Sequence, residues 1–164
     1  MLLVIFGLAG VGKNYVGEVL AQDFGFAVYD ADQDLTPEII EIIKKGELPG
    51  DGARGYYFKL VADKTEKLLP EHKNLAVTQM FRCEKDRVDF LRRFPAARFV
   101  LVEADQDKVL NRLGRRQDHL ISARFGRRLM SDFEKIGIPF SALDNNGDRP
   151  DLQAELKKLL DSLK

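Results

Sequence analysis

The sequence lacks tryptophan, has only one cysteine and two histidines, and carries no excess of either charge. The single cysteine, Cys83, has no disulfide partner within the sequence, which favours a reducing, cytoplasmic location. One cysteine and two histidines are too few for a zinc cluster. With 26 basic and 26 acidic residues, no overall field favours nucleic acid or an anionic membrane as a partner. No apolar run is long enough to span a bilayer.

Short apolar runs alternate with amphipathic runs along all 164 residues. This alternation predicts a single α/β domain with a mostly parallel sheet of five strands joined by right-handed crossovers. The predicted strands cover 2–6, 26–32, 74–80, 97–104 and part of 137–146. The predicted helices cover 13–24, 35–46, 55–69, 83–94 and 105–116, and a last helix begins at Pro150.

A glycine-rich segment follows the first predicted strand. Its sequence, GLAGVGK at residues 7–13, fits the phosphate-binding pattern G-x-x-x-x-G-K. Glycines let backbone N–H groups converge on an anion, the next helix points its positive dipole end there, and Lys13 adds a full charge. A glycine-rich turn with a solvated lysine is disfavoured, because the motif joins an apolar strand to a helix. The predicted nucleotide-binding residues are Gly7, Leu8, Ala9, Gly10, Val11, Gly12, Lys13, Asn14 and Tyr15.

Asn14 departs from the phosphate-binding pattern, which has Ser or Thr after the lysine. The Ser or Thr hydroxyl normally binds magnesium. The amide oxygen of Asn14 is a neutral ligand that suits the same ion, or it caps the turn. We therefore expect phosphate binding to persist, and the substitution bears on the placement of the metal.

Two acids follow the second predicted strand in the segment YDADQD. Asp30 and Asp32 are one residue apart, and alternate residues of a strand share a face, which predicts that both face the crevice at the sheet's carboxyl edge. One carboxylate would hold magnesium through water, and the other would orient or deprotonate an attacking hydroxyl. The alternative is an Asp-rich surface turn, the role expected of Asp34.

With these features the chain resembles P-loop small-molecule kinases of the gluconate kinase and shikimate kinase group, gluconokinase most closely. Three further segments carry the resemblance in the family's order. GELPGDGAR (46–54) is similar to a family segment ending in arginine, TQMFR (78–82) to one ending in a basic residue, and RLGRRQDH (112–119) to the lid sequence. The chain departs from the family at Asn14, in a displaced leucine at Leu48, and in the missing tryptophan.

The resemblance implies a three-layer P-loop kinase fold with strand order 2-3-1-4-5 and an Arg-rich lid at about 114–131. It implies transfer of the ATP γ-phosphoryl group to a hydroxyl of a small carbohydrate acid or polyol, with ATP and Mg²⁺ as cofactors, in a monomer or homodimer. The roles carried over are catalysis by Lys13, Asp32 and Arg116, acceptor binding by Asp32, Arg54 and Arg82, nucleotide contacts from Arg112 and Arg116, and metal contacts from Asn14 and Asp30.

Several alternatives stay open. The arginines of 112–128 also fit a solvated loop, Arg54 and Arg82 fit surface charges, and the aromatic residues 56–58 fit either an acceptor wall or the core. The acceptor is alternatively that of a shikimate-type or nucleotide kinase. A non-catalytic nucleotide-binding module is the rival class, and Asn14 is its main support.

Overall fold

The structure, a computed structural model, describes residues 1–115 and 128–163. Five parallel strands form one sheet: β1 (Leu2–Phe6), β2 (Ala27–Asp30), β3 (Leu75–Thr78), β4 (Arg98–Glu103) and β5 (Ser141–Asp144). Their order is β2-β3-β1-β4-β5, which confirms the order implied by the family resemblance. β1 is central; its connection runs toward the β2 edge and that of its neighbour β4 toward the β5 edge, so a crevice opens between the carboxyl ends of β1 and β4.

The helices surround this sheet: α1 (Lys13–Phe24), α2 (Pro37–Lys44), α3 (Asp51–Leu68), α4 (Glu84–Arg93), α5 (Gln106–Arg115) and α6 (Arg149–Ser162). The hydroxyl of Thr36 caps α2 by accepting from the Ile39 N–H at 3.3 Å, and Pro37 occupies the first turn. Of the helices that the structure describes, none combines the length and apolar character needed to cross a membrane.

Most elements begin and end within a few residues of the prediction, and two of the differences bear on the site. β2 ends at Asp30, because residues Ala31–Asp34 turn into a short 3₁₀ helix in which the Asp30 carboxylate accepts from the Asp32 N–H. α3 begins at Asp51 rather than at residue 55, and Arg54 therefore lies in its first turn. The glycines of this segment suggested a turn in the sequence, but Asp51 suits the positive end of a helix dipole.

Alternate residues of β1 point into two different cores, which makes the fold three-layered. Val4 packs on the side covered by α2, α3 and α4, and Ile5 packs on the side covered by α1, α5 and α6. Every residue of β1 is buried. A central strand with both faces covered reads as a continuous apolar run, as its sequence does.

Candidate active site

A cavity of about 360 Å³ lies at the carboxyl edge of the sheet and extends from the glycine-rich loop to α4. It brings together most of the predicted site residues: Ala9, Gly10, Gly12, Lys13, Asn14, Asp30, Asp32, Arg54 and Arg82. Five further predicted nucleotide-binding residues do not line this cavity: Gly7, Leu8, Val11, Tyr15 and Arg112. Predicted residues from four separate segments of the sequence therefore line one cavity.

The glycine-rich loop takes a conformation that only glycine allows at its ends. Gly7 and Gly12 have φ of 141° and 97°. A Cβ on Gly7 would lie 2.7 Å from the Val102 carbonyl oxygen, and one on Gly12 would lie 2.3 Å from the Asn145 amide nitrogen. Gly12 also stands directly before α1, whose first N–H groups open toward the loop. The loop is thus shaped and placed for an anion at a helix N-terminus.

Lys13 lies across this loop. Its ammonium donates to the carbonyls of Gly7 at 3.0 Å and Leu8 at 2.9 Å, and the residue is buried. A buried ammonium needs such acceptors to offset its desolvation. These contacts hold a positive charge inside the loop, where a phosphate group is attracted to it.

Arg112 and Asn145 bind the backbone of the glycine-rich loop. The guanidinium extends from α5 and donates to the carbonyls of Val11 at 3.0 Å and Asn145 at 3.3 Å. Asn145, one residue after β5, donates its amide to the same Val11 carbonyl at 2.8 Å. The Asn145 Oδ1 is buried and accepts no hydrogen bond within the described part of the chain. Sequence reasoning missed Asn145, whose only signal is its place after the last strand.

Asn14 and Asp30, the two predicted metal ligands, are in contact. The Asn14 amide donates to the Asp30 carboxylate at 2.9 Å. The Thr78 hydroxyl lies 3.4 Å from Asp30 Oδ1 and 3.5 Å from Asn14 Oδ1. Thr78, which the sequence did not single out, is aligned with Asp30 by the β2–β3 register.

This oxygen-rich cluster suits a hard cation. Carboxylate, amide and hydroxyl oxygens are ligands that Mg²⁺ accepts, and it commonly binds through only one or two of them plus waters and substrate phosphates. Among the residues described, no group of three or more His, Cys, Asp or Glu side chains forms a metal cage. The oxygens of Asn14, Asp30 and Thr78 thus fit one or two positions of a magnesium ion whose other ligands are water or phosphate.

Asp32 reaches the cavity by a different route from the one predicted. It does not share a strand face with Asp30, because it lies in the 3₁₀ helix, yet both carboxylates line the same cavity. Gln79 donates its amide to the Asp32 carboxylate at 2.8 Å and also contacts the Tyr57 hydroxyl. Burial and the charge of Asp32 raise the pKa of Tyr57, so this phenol stays protonated. Tyr57 is both a core residue and a cavity wall.

Arg54 lies at the far end of the cavity, opposite the loop. Its Nε donates to Asp86 at 2.8 Å, and its Nη2 lies 2.9 Å from Asp51. Burial raises the pKa of Asp86, and Arg54 opposes that rise. Sequence reasoning missed Asp86, which lies in a charged run typical of a solvated helix.

The segment after β3 is held by a buried arginine. Arg87 is fully buried, and its guanidinium donates to the Glu84 carboxylate and to the backbone carbonyls of Phe81, Arg82, Glu134 and Lys135. Phe81 has a φ of 47°, which is strained for a bulky side chain and persists only where neighbours enforce it. Arg87 therefore fixes the backbone that presents Phe81 and Arg82 to the cavity.

The predicted lid falls largely on residues 116–127. These residues, Arg116 and His119 among them, lie outside the described residues. On the far side of that gap, Leu129 lines the cavity and Arg128 donates to the Gly46 carbonyl at 3.2 Å.

Solved structures share this architecture over nearly the whole chain. A sugar kinase from Janibacter sp. is 18% identical, with a TM-score of 0.83, and the match covers 98% of this chain and 94% of that structure. A gluconokinase from Sinorhizobium meliloti is 20% identical, with a TM-score of 0.78 and the same coverages. A deoxyadenosine kinase from M. mycoides with bound dATP is 14% identical, with a TM-score of 0.65, and the match covers 98% and 100%.

These likenesses show that the chain has a P-loop kinase fold similar to that of the sugar kinase and the gluconokinase, in line with the sequence resemblance. No protein-family model matches the sequence, and no curated protein does.

Proposed function

We propose that the protein transfers the γ-phosphoryl group of ATP to a hydroxyl of a small acceptor of the carbohydrate acid or polyol class. The observation that carries this proposal is one cavity with two chemically different ends. Lys13 and the glycine-rich loop form one end, Arg54 and Arg82 form the other, and Asp32, the candidate base, lines the same cavity. A phosphoryl donor and an alcohol acceptor require such an arrangement to meet in line.

In this proposal the loop N–H groups and Lys13 bind the triphosphate, with Lys13 exchanging its loop carbonyl partners for phosphate oxygens. Asn14 and Asp30 would hold Mg²⁺, which neutralises phosphate charge when it is bound. Asp32 accepts the proton of the acceptor hydroxyl, and its hydrogen bond from Gln79 keeps the carboxylate oriented.

The carbohydrate acceptor is supported by two of the similar structures, which are named as a sugar kinase and a gluconokinase. Arg82 supports a carboxylated acceptor, because a guanidinium binds a planar carboxylate well.

The test is ADP release from ATP and Mg²⁺ with a panel of hydroxy acids, polyols, shikimate and nucleosides. We expect release that depends on one class of acceptor and that is lost in Asp32→Asn while ATP binding persists. ATP binding without acceptor-dependent release would instead favour the non-catalytic nucleotide-binding module. Release with a nucleoside alone would replace the carbohydrate class.

A further inference from the structure

The far end of the cavity contains an ion pair that is complete without any acceptor. The side chains of Arg54 and Asp86 are only 14% and 5% exposed, and their Nε–Oδ2 distance is 2.8 Å. Asp51, on the outer side of the pair, is 92% exposed and adds a second carboxylate to Arg54 at 2.9 Å. The positive charge of Arg54 is therefore balanced from within the protein.

An acceptor carboxylate placed on Arg54 would lie beside Asp86, and repulsion between the two anions would oppose the attraction. Arg82 differs in this respect. It lines the same cavity, donates to the backbone carbonyl of Asp132 at 3.1 Å, and has no carboxylate within salt-bridge distance in the part of the chain that is described, although its charge acts at longer range to lower the pKa of Asp86 and of Glu134. Arg82 is thus the better partner for an acceptor anion.

On the side of this cavity the ion pair is accompanied by apolar side chains, whereas its outer side faces charged residues such as Lys85 and Asp89. Side chains from α2, the following loop, α3 and the segment after β3 line this end of the cavity: Ile43, Leu48, Pro49, Phe58, Met80 and Phe81. A hydroxyl buried against these groups would lose its hydrogen bonds to water without replacing them. This wall therefore suits a part of the acceptor that turns carbon and hydrogen atoms, rather than hydroxyls, toward it.

We propose that Asp86 is a specificity-determining residue of the acceptor site. By neutralising Arg54, it makes the part of the far end around Arg54 bind the uncharged and less polar part of the acceptor, and it leaves Arg82 as the group there that binds a single carboxylate. This inference rests on the proposed function, since it assigns the far end of the cavity to the acceptor. It also replaces the predicted role of Arg54 as a carboxylate clamp.

The test compares hydroxy acids with their primary amides, which have nearly the same shape but no charge. Calorimetric titrations without ATP would use gluconate with gluconamide and shikimate with its amide. In Asp86→Asn, Arg54 becomes available, and we expect the acid-to-amide affinity ratio to rise about tenfold or more. Asp51→Asn is the matched control, because it also removes a carboxylate from Arg54 but outside the cavity, and its ratio should stay within about twofold. An unchanged ratio in Asp86→Asn overturns the proposal.

A second variant covers the case in which Asp86→Asn does not fold. Replacing the whole pair, with Arg54→Met and Asp86→Leu together, removes both buried charges, and such replacements are often tolerated. If the ion pair does not attract the acceptor carboxylate, the acid-to-amide affinity ratio of this double variant stays within about threefold of the original value. A ratio that falls to about one would identify Arg54 as the clamp and overturn the proposal.

Because these titrations need no turnover, they test the role of Asp86 separately from the proposed kinase activity. Binding that responds to Asp86 as expected, without ADP release, contradicts the kinase and leaves the role of Asp86 supported. If no acid or amide binds to any of these proteins, the far end of the cavity is not their acceptor site, and the proposal is overturned even if another acceptor is phosphorylated.

Discussion

Asn14 donates its side-chain amide to the carboxylate of Asp30 at 2.9 Å, at the position where a phosphate-binding loop has a Ser or Thr hydroxyl. The amide group thus orients the acid, while its own oxygen lies 3.5 Å from the Thr78 hydroxyl. A serine would offer one oxygen and reach less far. Asn14 is therefore compatible with a working loop, because it couples the loop to the acid that follows β2.

Loss of the Asn14 amide should weaken magnesium use. In Asn14→Ala, Asp30 loses an orienting hydrogen bond, and such losses raise the metal requirement about 10- to 100-fold. The measurement is the Mg²⁺ concentration that gives half-maximal ADP release. Asn14→Ser is the comparison, since it restores the hydroxyl of the common pattern. If Asn14→Ala has the original magnesium requirement, the amide has no part in placing the metal.

Removal of the loop lysine should abolish nucleotide binding. Lys13→Ala takes away the buried charge and leaves the carbonyls of Gly7 and Leu8 without their donor. We expect ATP affinity, measured by calorimetry, to fall by at least about 100-fold, the effect of losing a charge-assisted contact to phosphate. Lys59→Ala is the control, since Lys59 lies on the exposed side of α3 and pairs with Asp63. Retained ATP affinity in Lys13→Ala would show that the loop binds no phosphate.

Arg112 should contribute to stability as well as to nucleotide binding. Its guanidinium donates to the carbonyls of Val11 and Asn145, and Arg112→Ala removes this donor from both, although the Val11 carbonyl keeps the Asn145 amide as a donor. We expect the free energy of unfolding in urea to fall by about 1–3 kcal/mol. Arg92→Ala, at an exposed site on α4, should change it by less than about 0.5 kcal/mol. Full stability with impaired ATP binding would instead make Arg112 a nucleotide contact alone.

Replacement of Arg87 should disturb the acceptor end more than the nucleotide end. Arg87→Met removes the guanidinium donor from Glu84 Oε2 and from several buried or partly buried carbonyls, and removing one member of such a network costs about 3–5 kcal/mol. Arg87→Lys keeps the charge but loses the forked geometry. In Arg87→Lys we expect the KM of the acceptor to rise while the KM of ATP changes little. An equal rise in both would show that Arg87 supports the fold generally and does not position the acceptor segment.

Asp34 should make stability depend on acid pH. Hydrogen bonds from Lys64 and Tyr29 hold the pKa of Asp34 below its ordinary 3.8. Because the folded-state pKa is the lower one, the stabilisation is complete above the unfolded value and is lost as pH falls toward the folded value. The Tm of the protein should exceed that of Asp34→Asn at neutral pH, and the difference should shrink below about pH 4. A difference independent of pH would mean that the carboxylate's charge contributes nothing.

The phosphate loop, the central strand and the acids near it could be recognised from the sequence because each depends on local rules. An apolar run followed by spaced glycines and a lysine has few other structural solutions, and Thr36 with Pro37 marks a helix start wherever it occurs. The strand order, in contrast, came from the resemblance to a known family. Residue spacing alone does not order parallel strands.

Tertiary structure decided which charged groups meet. Arg54 and Asp86 are 32 residues apart, and Arg112 and Val11 are 101 apart, so no local pattern reveals either contact. Asp86 and Arg87 belong to a run that reads as a solvated helix, yet packing of α4 against α3 and the segment after β3 buries both. A buried charge is stable only with partners brought by the whole fold, and for that reason composition and periodicity cannot identify one.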